Sequence, residues 1–131
     1  MKSLCENCGK CCLDTEMLLS HNDIELIKRK SSKNLREQDF VFKSDNNQLQ
    51  LKNIEGHCVF LDSDTKNCNI YRYRPQGCRF YPLIYDVNEE RCKLDKDCPR
   101  TSLFYKDKQE FKTSCENLKI FLKKQLKLRI N

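Results

Sequence analysis

Apolar positions in this chain come in short bursts divided by polar turns, and only one long stretch keeps a helical rhythm. From about Leu103 onward, Phe111, Cys115, Leu118, Leu122 and Leu126 recur at i, i+4, i+7, i+11 and i+15 and make one apolar stripe. Lys112, Lys119, Lys123, Lys124 and Lys127 cover the other faces, so the pattern predicts a basic amphipathic helix over about 103–130. A second helix is predicted from His21 to about Lys30. Ser20 can cap it, Asp23 sits in the first turn where the helix dipole favours a negative charge, and Ile24 and Ile27 form its buried face with Leu26 beside them. Alternation predicts hairpin strands at Phe40–Lys43 and Gln48–Lys52 around the turn Ser44-Asp45-Asn46-Asn47, with Leu49 and Leu51 facing inward. Leu83–Val87 and Arg91–Leu94 predict another hairpin across Asn88-Glu89-Glu90, and Glu16–Leu19 and Cys58–Leu61 read as shorter strands. Ser31–Asp39 reads as loop and Asp62–Asn67 as a turn. Two prolines within Cys68–Pro82 exclude a long helix or a central strand there, leaving one helical turn near Ile70–Tyr73 and then a tight loop.

Composition sharpens this picture. The length of 131 residues suits one domain, but 38% hydrophobic content with 34% charged residues and no Trp makes a thin core, so a cross-linking element is expected to help hold it. No apolar run approaches the ~18 residues of a membrane span. Lys2 is followed by cysteines rather than by the apolar run of a signal peptide, so the expected setting is the cytosol, where thiols stay reduced. With three glycines there is no phosphate-cradling loop, no H-E-x-x-H occurs, and no Ser or Cys is matched to an obvious His/Asp set. The C-x3-C-x2-C spacing of radical-SAM enzymes is also absent.

Ten cysteines change the picture most. Cys5, Cys8, Cys11 and Cys12 form a C-x2-C-x2-C-C run, and the others stand at Cys58, Cys68, Cys78, Cys92, Cys98 and Cys115. In C-x2-C a tight backbone turn lets two sulfurs reach one metal or one cluster. Zinc sites commonly take two such pairs, whereas a [4Fe–4S] site uses C-x2-C-x2-C and a remote cysteine, often followed by proline. Cys5, Cys8 and Cys11 have the triple spacing and Cys98-Pro99 has the form of the remote partner, which favours iron–sulfur with zinc second. Cys12 leaves one centre or two open, because neighbouring side chains diverge. The net charge of +6 counts thiols as neutral; eight thiolates would bring it to −2 and two dications to +2, so the basicity is weak evidence for nucleic acid. His21 reads as a solvated residue at a helix start. His57, beside Cys58, is a weaker candidate ligand than the cysteines.

Three blocks of the chain resemble the YkgJ-type cysteine-cluster family, the zinc- or iron-chelating domain known for its CxxCxxCC run. They are Cys5–Cys12, Gly56-His57-Cys58-Val59-Phe60-Leu61, and the stretch Cys68–Pro82, which is similar to the family's C-x-I-Y-x-x-R-P-x-x-C-R-x-[FY]-P. The resemblance covers about residues 1–100 and includes the helix around Asp23-Ile24. It implies a small cytosolic domain that binds metal or an iron–sulfur cluster, and as candidate ligands Cys5, Cys8, Cys11, Cys12, Cys58, Cys68 and Cys78, with Cys98 next. The family's late Cys-Pro is often followed by Gly, whereas Arg100 stands here. Cys92 and Cys115 fall outside the family pattern; Cys92 is a substitute ligand and Cys115, on the apolar stripe, is expected to pack in the core. Arg72, Arg74, Arg79 and Arg91 are expected to balance thiolate charge, and Tyr71, Tyr73, Phe80, Tyr81 and Tyr85 to form an apolar shell. A related motif in flagellin lysine N-methylases leaves a cluster-dependent modification enzyme as an alternative, although no acid–base set supports one.

The expectation is therefore an α+β fold in a single domain over 1–131. Short strands and loops gather round a cysteine-ligated centre, and a basic amphipathic helix closes the chain. Its partners would be the metal or cluster and a redox or client protein. Residues 101–131 carry eight Lys/Arg against three Asp/Glu, net +5, read as the solvated face of a packed helix. A zinc-stabilised adaptor that binds nucleic acid or protein through that helix is the remaining alternative.

Overall fold

Ser20 starts the first helix. Its hydroxyl accepts from the backbone N–H of Asp23 at 3.1 Å, and the Asp23 carboxylate accepts from the backbone N–H of Ser20 at 3.0 Å. This reciprocal box satisfies two of the donors that a helix start leaves open. Helix α1 spans His21–Lys30 and buries Asp23, Ile24 and Ile27. The structure, a computed structural model, describes residues 9–13, 15–31 and 34–130, with the side chain of Cys11 outside that description. The chain divides into two compact units, Met1–Gln76 and Gly77–Asn131.

In the first unit a 3₁₀ turn at Lys10–Cys12 precedes α1. A short helix α2, Glu37–Phe40, forms at the end of the stretch expected to be loop, because the Asp39 carboxylate accepts the Arg36 backbone N–H at 2.9 Å and fixes its first turn. Strands β1 (Val41–Lys43) and β2 (Leu49–Leu51) make the expected hairpin, with Val41 opposite Leu51 and Lys43 opposite Leu49. The stretch 16–19 runs beside β2: Leu19 N–H donates to Leu49 at 2.8 Å and Leu51 N–H to Met17 at 3.0 Å. Strands β3 (Asn53–Ile54) and β4 (His57–Cys58) pair across Glu55 and Gly56, whose φ values of 51° and 81° suit a tight hairpin turn. The strand expected to reach Leu61 stops at Cys58, because the Leu61 N–H turns back to the Cys58 carbonyl at 2.9 Å; Leu61 then bridges Cys68. Leu19, Ile24, Ile27, Phe40, Val41, Leu51, Cys58, Phe60, Leu61 and Ile70 are buried, and the rings of Phe40 and Phe60 lie 5.5 Å apart. The expected helical turn is a 3₁₀ turn at Tyr71–Tyr73.

Helix α3, Gln76–Phe80, replaces the expected tight loop. It begins directly after buried Pro75, whose fixed φ suits a helix start. In the second unit β5 (Leu83–Asp86) and β6 (Arg91–Leu94) form the expected hairpin. Its turn is held by the Asp86 carboxylate, which accepts from the N–H groups of Asn88 and Glu89 and pairs with Lys93 at 2.7 Å. The last helix, α4, runs Lys108–Ile120 and widens into a π turn over Phe121–Gln125. It starts at Lys108 rather than Leu103 because a separate 3₁₀ turn occupies Thr101–Leu103, Tyr105 has φ 50°, and Asp107 caps α4 by accepting from Gln109 N–H at 2.9 Å. The whole predicted stripe is used: Leu118 and Phe121 join Leu83 and Cys92 in a core against which Phe111, Cys115, Leu122 and Leu126 pack.

Within that core Cys92 on β6 and Cys115 on α4 form a disulfide, with Cα atoms 6.0 Å apart. This corrects the reading of Cys92 as a substitute ligand, whereas Cys115 packs against the core as expected and is bonded to Cys92 besides; packing α4 on the hairpin brings the two thiols together. Helices and short antiparallel strands make up the fold, with three two-stranded sheets among the described residues.

Candidate metal centre

The described end of the cysteine run is docked by its backbone. Gly9 has φ 60° and ψ 5°, and its carbonyl accepts from Cys12 N–H at 3.1 Å, which turns the chain through Lys10–Cys12. A Cβ on Gly9 would stand 3.1 Å from Leu61 Cδ1 and 3.1 Å from the Lys66 carbonyl oxygen, so only glycine lets the run sit this close to the 61–66 turn. Leu13 then makes an isolated antiparallel bridge to His57, the residue before Cys58, and Cys12 precedes it as the last residue of the 3₁₀ turn. Beyond it, Asn53 Oδ1 accepts from Thr15 N–H at 3.1 Å and Asn53 Nδ2 donates to the Thr15 carbonyl at 2.9 Å.

These contacts bring the end of the run, Cys58 and, through the Leu61 bridge, Cys68 onto one part of the first unit. Cys58 is 4% exposed, and Cys12 and Cys68 are half-buried. Cys5 and Cys8 lie outside the described residues; the backbone of Cys11 lies in the 3₁₀ turn. Cys78, on α3, and Cys98, whose N–H donates to the Asp95 carbonyl at 3.1 Å, belong to the second unit and are half-buried. Among the described residues no three His, Cys, Asp or Glu side chains form a group able to hold a metal.

His21 is exposed at the start of α1. His57 Nδ1 lies 2.9 Å from the Cys58 carbonyl oxygen, and since a carbonyl only accepts, Nδ1 is the donor. Paired residues of a sheet share a face, so His57 sides with Leu13 and Ile54, which are 50% and 51% exposed, while Cys58 takes the buried face. Among the arginines expected to balance thiolate charge, Arg74 is engaged elsewhere. Its guanidinium lies 3.9 Å from the Tyr71 ring centroid and donates to the Tyr71 carbonyl at 2.7 Å. Arg91 pairs with Glu89, and Arg72 and Arg79 are exposed.

Two supporting residues had no role in the sequence reading beyond their local one. Asp23, only 2% exposed, accepts at Oδ1 from both the backbone N–H and Nε2 of Gln76, each at 3.0 Å, besides capping α1. It thereby ties the helix start to Gln76. Asn53 had no part in the sequence reading. In both cases the signal is a small polar side chain next to an apolar strand or helix face, which the sequence leaves without a partner.

Cysteine sulfur is a soft donor that suits zinc or iron–sulfur and disfavours hard cations such as magnesium or calcium. The family named CxxCxxCC and described as "Putative zinc- or iron-chelating domain" matches residues 4–116. The chain belongs to the CxxCxxCC family. That description supports a metal-binding role for this CxxCxxCC protein. It is also 42% identical over 48 residues to a Methanocaldococcus jannaschii protein named Uncharacterized protein MJ0661. That match takes in 37% of this chain, and the chain spans 26% of the relative's length. No solved structure matches. No helix among the described residues is long and apolar enough to cross a membrane.

Proposed function

We propose that this CxxCxxCC protein holds an iron–sulfur cluster, of the [4Fe–4S] type, through cysteine thiolates, with zinc as the competing occupant. The observation that carries the reading is the docking of the run's end, through Gly9 and Leu13, against the segment that bears Cys58 and Cys68. On the first unit the proposed ligands are drawn from Cys5, Cys8, Cys11, Cys12, Cys58 and Cys68, with Cys12 and Cys58 on one centre; Cys78 and Cys98 are the candidates of the second unit. When bound, a cluster supplies one-electron chemistry and a large share of the folding free energy. The proposed role is redox, cluster-handling or structural, in a cytosolic setting. The Cys92–Cys115 disulfide lies outside the proposed ligand set and runs against a setting that keeps every thiol reduced, so the proposal requires one bonded pair to coexist with a thiolate centre.

Anaerobic purification followed by a visible spectrum and assays of iron, zinc and acid-labile sulfide tests this. Brown protein with iron and sulfide in equal amounts is expected. Colourless protein with stoichiometric zinc would replace the cluster by zinc, and protein that retains neither under reducing conditions would overturn the metal-binding reading of these cysteines.

A further inference from the structure

Thr15 is buried, and both of its backbone hydrogen-bonding groups go to one side chain. The Asn53 amide presents an acceptor to Thr15 N–H and a donor to Thr15 C=O, as the backbone of a neighbouring strand would. A buried N–H or C=O left without a partner is costly, so this pairing fixes where the chain leaves the cysteine run. Asn53 stands opposite Cys58 in the β3–β4 register, and that backbone pairing does not need its side chain. The amide therefore links Thr15, just beyond Cys12, to the strand that carries Cys58.

We propose that Asn53 is the positioning residue that docks the cysteine run beside Cys58, and that it sets how tightly the centre keeps its metal; this rests on the function proposed above. The side chain must be an amide of this length. Aspartate offers no donor to the Thr15 carbonyl and would set a negative charge against it. Alanine offers neither group, and glutamine carries the amide one methylene too far.

The test uses the full chain, zinc ion as the probe and a competing chelator. Wild type is expected to bind zinc, and Asn53→Ala to bind it about 10–100-fold more weakly, the range for partners that orient metal ligands. Amide hydrogen exchange at Thr15 in metal-free protein supplies a readout independent of loading: protection is expected in wild type and its loss in Asn53→Ala. Ile27→Val, a change in the buried face of α1, serves as the control for general destabilisation and is expected to lower stability without altering zinc affinity. Wild type that binds no zinc and carries no cluster overturns the proposed function itself. Wild type that binds zinc while Asn53→Ala binds equally well overturns only the role of Asn53, as does a loss no greater than that of Ile27→Val. If Asn53→Ala does not fold, Asn53→Asp carries the same test, with weaker binding expected and unchanged binding overturning the proposal.

Discussion

Replacing Gly9 by alanine probes the docking of the run with the smallest possible change. At φ 60° an L residue pays about 1–2 kcal/mol for its Cβ, partly offset by about 0.4–1 kcal/mol because alanine has less freedom to lose from the unfolded chain. The new methyl would also stand 3.1 Å from Leu61 Cδ1 and 3.1 Å from the Lys66 carbonyl oxygen. Leu61 is buried, and the Lys66 turn is tied by its N–H to the Asp62 carbonyl at 2.8 Å and by Asp62 N–H to the Asn67 carbonyl at 2.9 Å. Neither neighbour yields freely, and the crowding adds roughly 1 kcal/mol, the low end for overpacking. The sum is about 2 kcal/mol, which lowers the stability of the metal-free fold where the run is already docked there, or lowers metal affinity by up to about 30-fold where the run docks only on loading. Urea unfolding of metal-free protein and zinc competition on the same samples measure the two, with exposed Lys10→Ala as the neutral neighbour. Gly9→Ala as stable and as retentive of metal as wild type would refute the close docking of the run.

Four further outcomes are expected. Asp23→Ala strips the partner from Ser20 N–H and from two donors of Gln76, so it should cost about 3 kcal/mol in urea unfolding, with Asp23→Asn milder because it keeps one acceptor. Cys115→Ala should lower stability by about 3 kcal/mol, from loop closure over a separation of 23 residues, yet leave bound metal per chain unchanged; lost metal would make Cys115 a ligand after all. Cys58→Ser should lose metal and, with it, the stability that bound metal adds over the metal-free fold; a variant as stable as metal-loaded wild type would remove the organising role given to the centre. Lys93 holds the Asp86 carboxyl below its ordinary pKa, mainly through its hydrogen bond, and Asp86 raises Lys93 in turn. The Asp86 share of stability is thus present above the unfolded carboxyl value and lost as pH falls through the lower folded one. The Lys93 share is present below the unfolded amine value and lost as pH rises through the higher folded one. Lys93→Met should therefore differ most from wild type between about pH 4 and pH 10, converging at both extremes in pH-dependent unfolding.

Where structure follows from neighbours in sequence, the sequence reading succeeds. Ser20 and Asp23 cap α1 through contacts three residues apart, the hairpins β1–β2 and β5–β6 close over polar turns, and every apolar stripe position of α4 reaches the core. Failures begin where a distant partner decides. Cys92 and Cys115 pair only because α4 lies on β6, and Asn53 matters only because Thr15 comes to it. The stripe set the face of α4 but not its start, which Asp107 and the positive φ of Tyr105 determine. For the candidate site, the thiols and their spacing were legible in the chain. The glycine-dependent approach to the 61–66 turn was not, since an isolated Gly in a cysteine run reads simply as a turn residue.

The Leu13–His57 bridge has a consequence for the order of assembly. It closes a long loop, whereas α1 and the β1–β2 hairpin form from near neighbours, and long-range closures carry their entropy cost before any contact repays it. Until that bridge closes, the end of the run stands apart from the strand that bears Cys58. A metal that takes thiols from both sides would favour the closure, and the timing of metal delivery would then govern the yield of native protein as much as the sequence does.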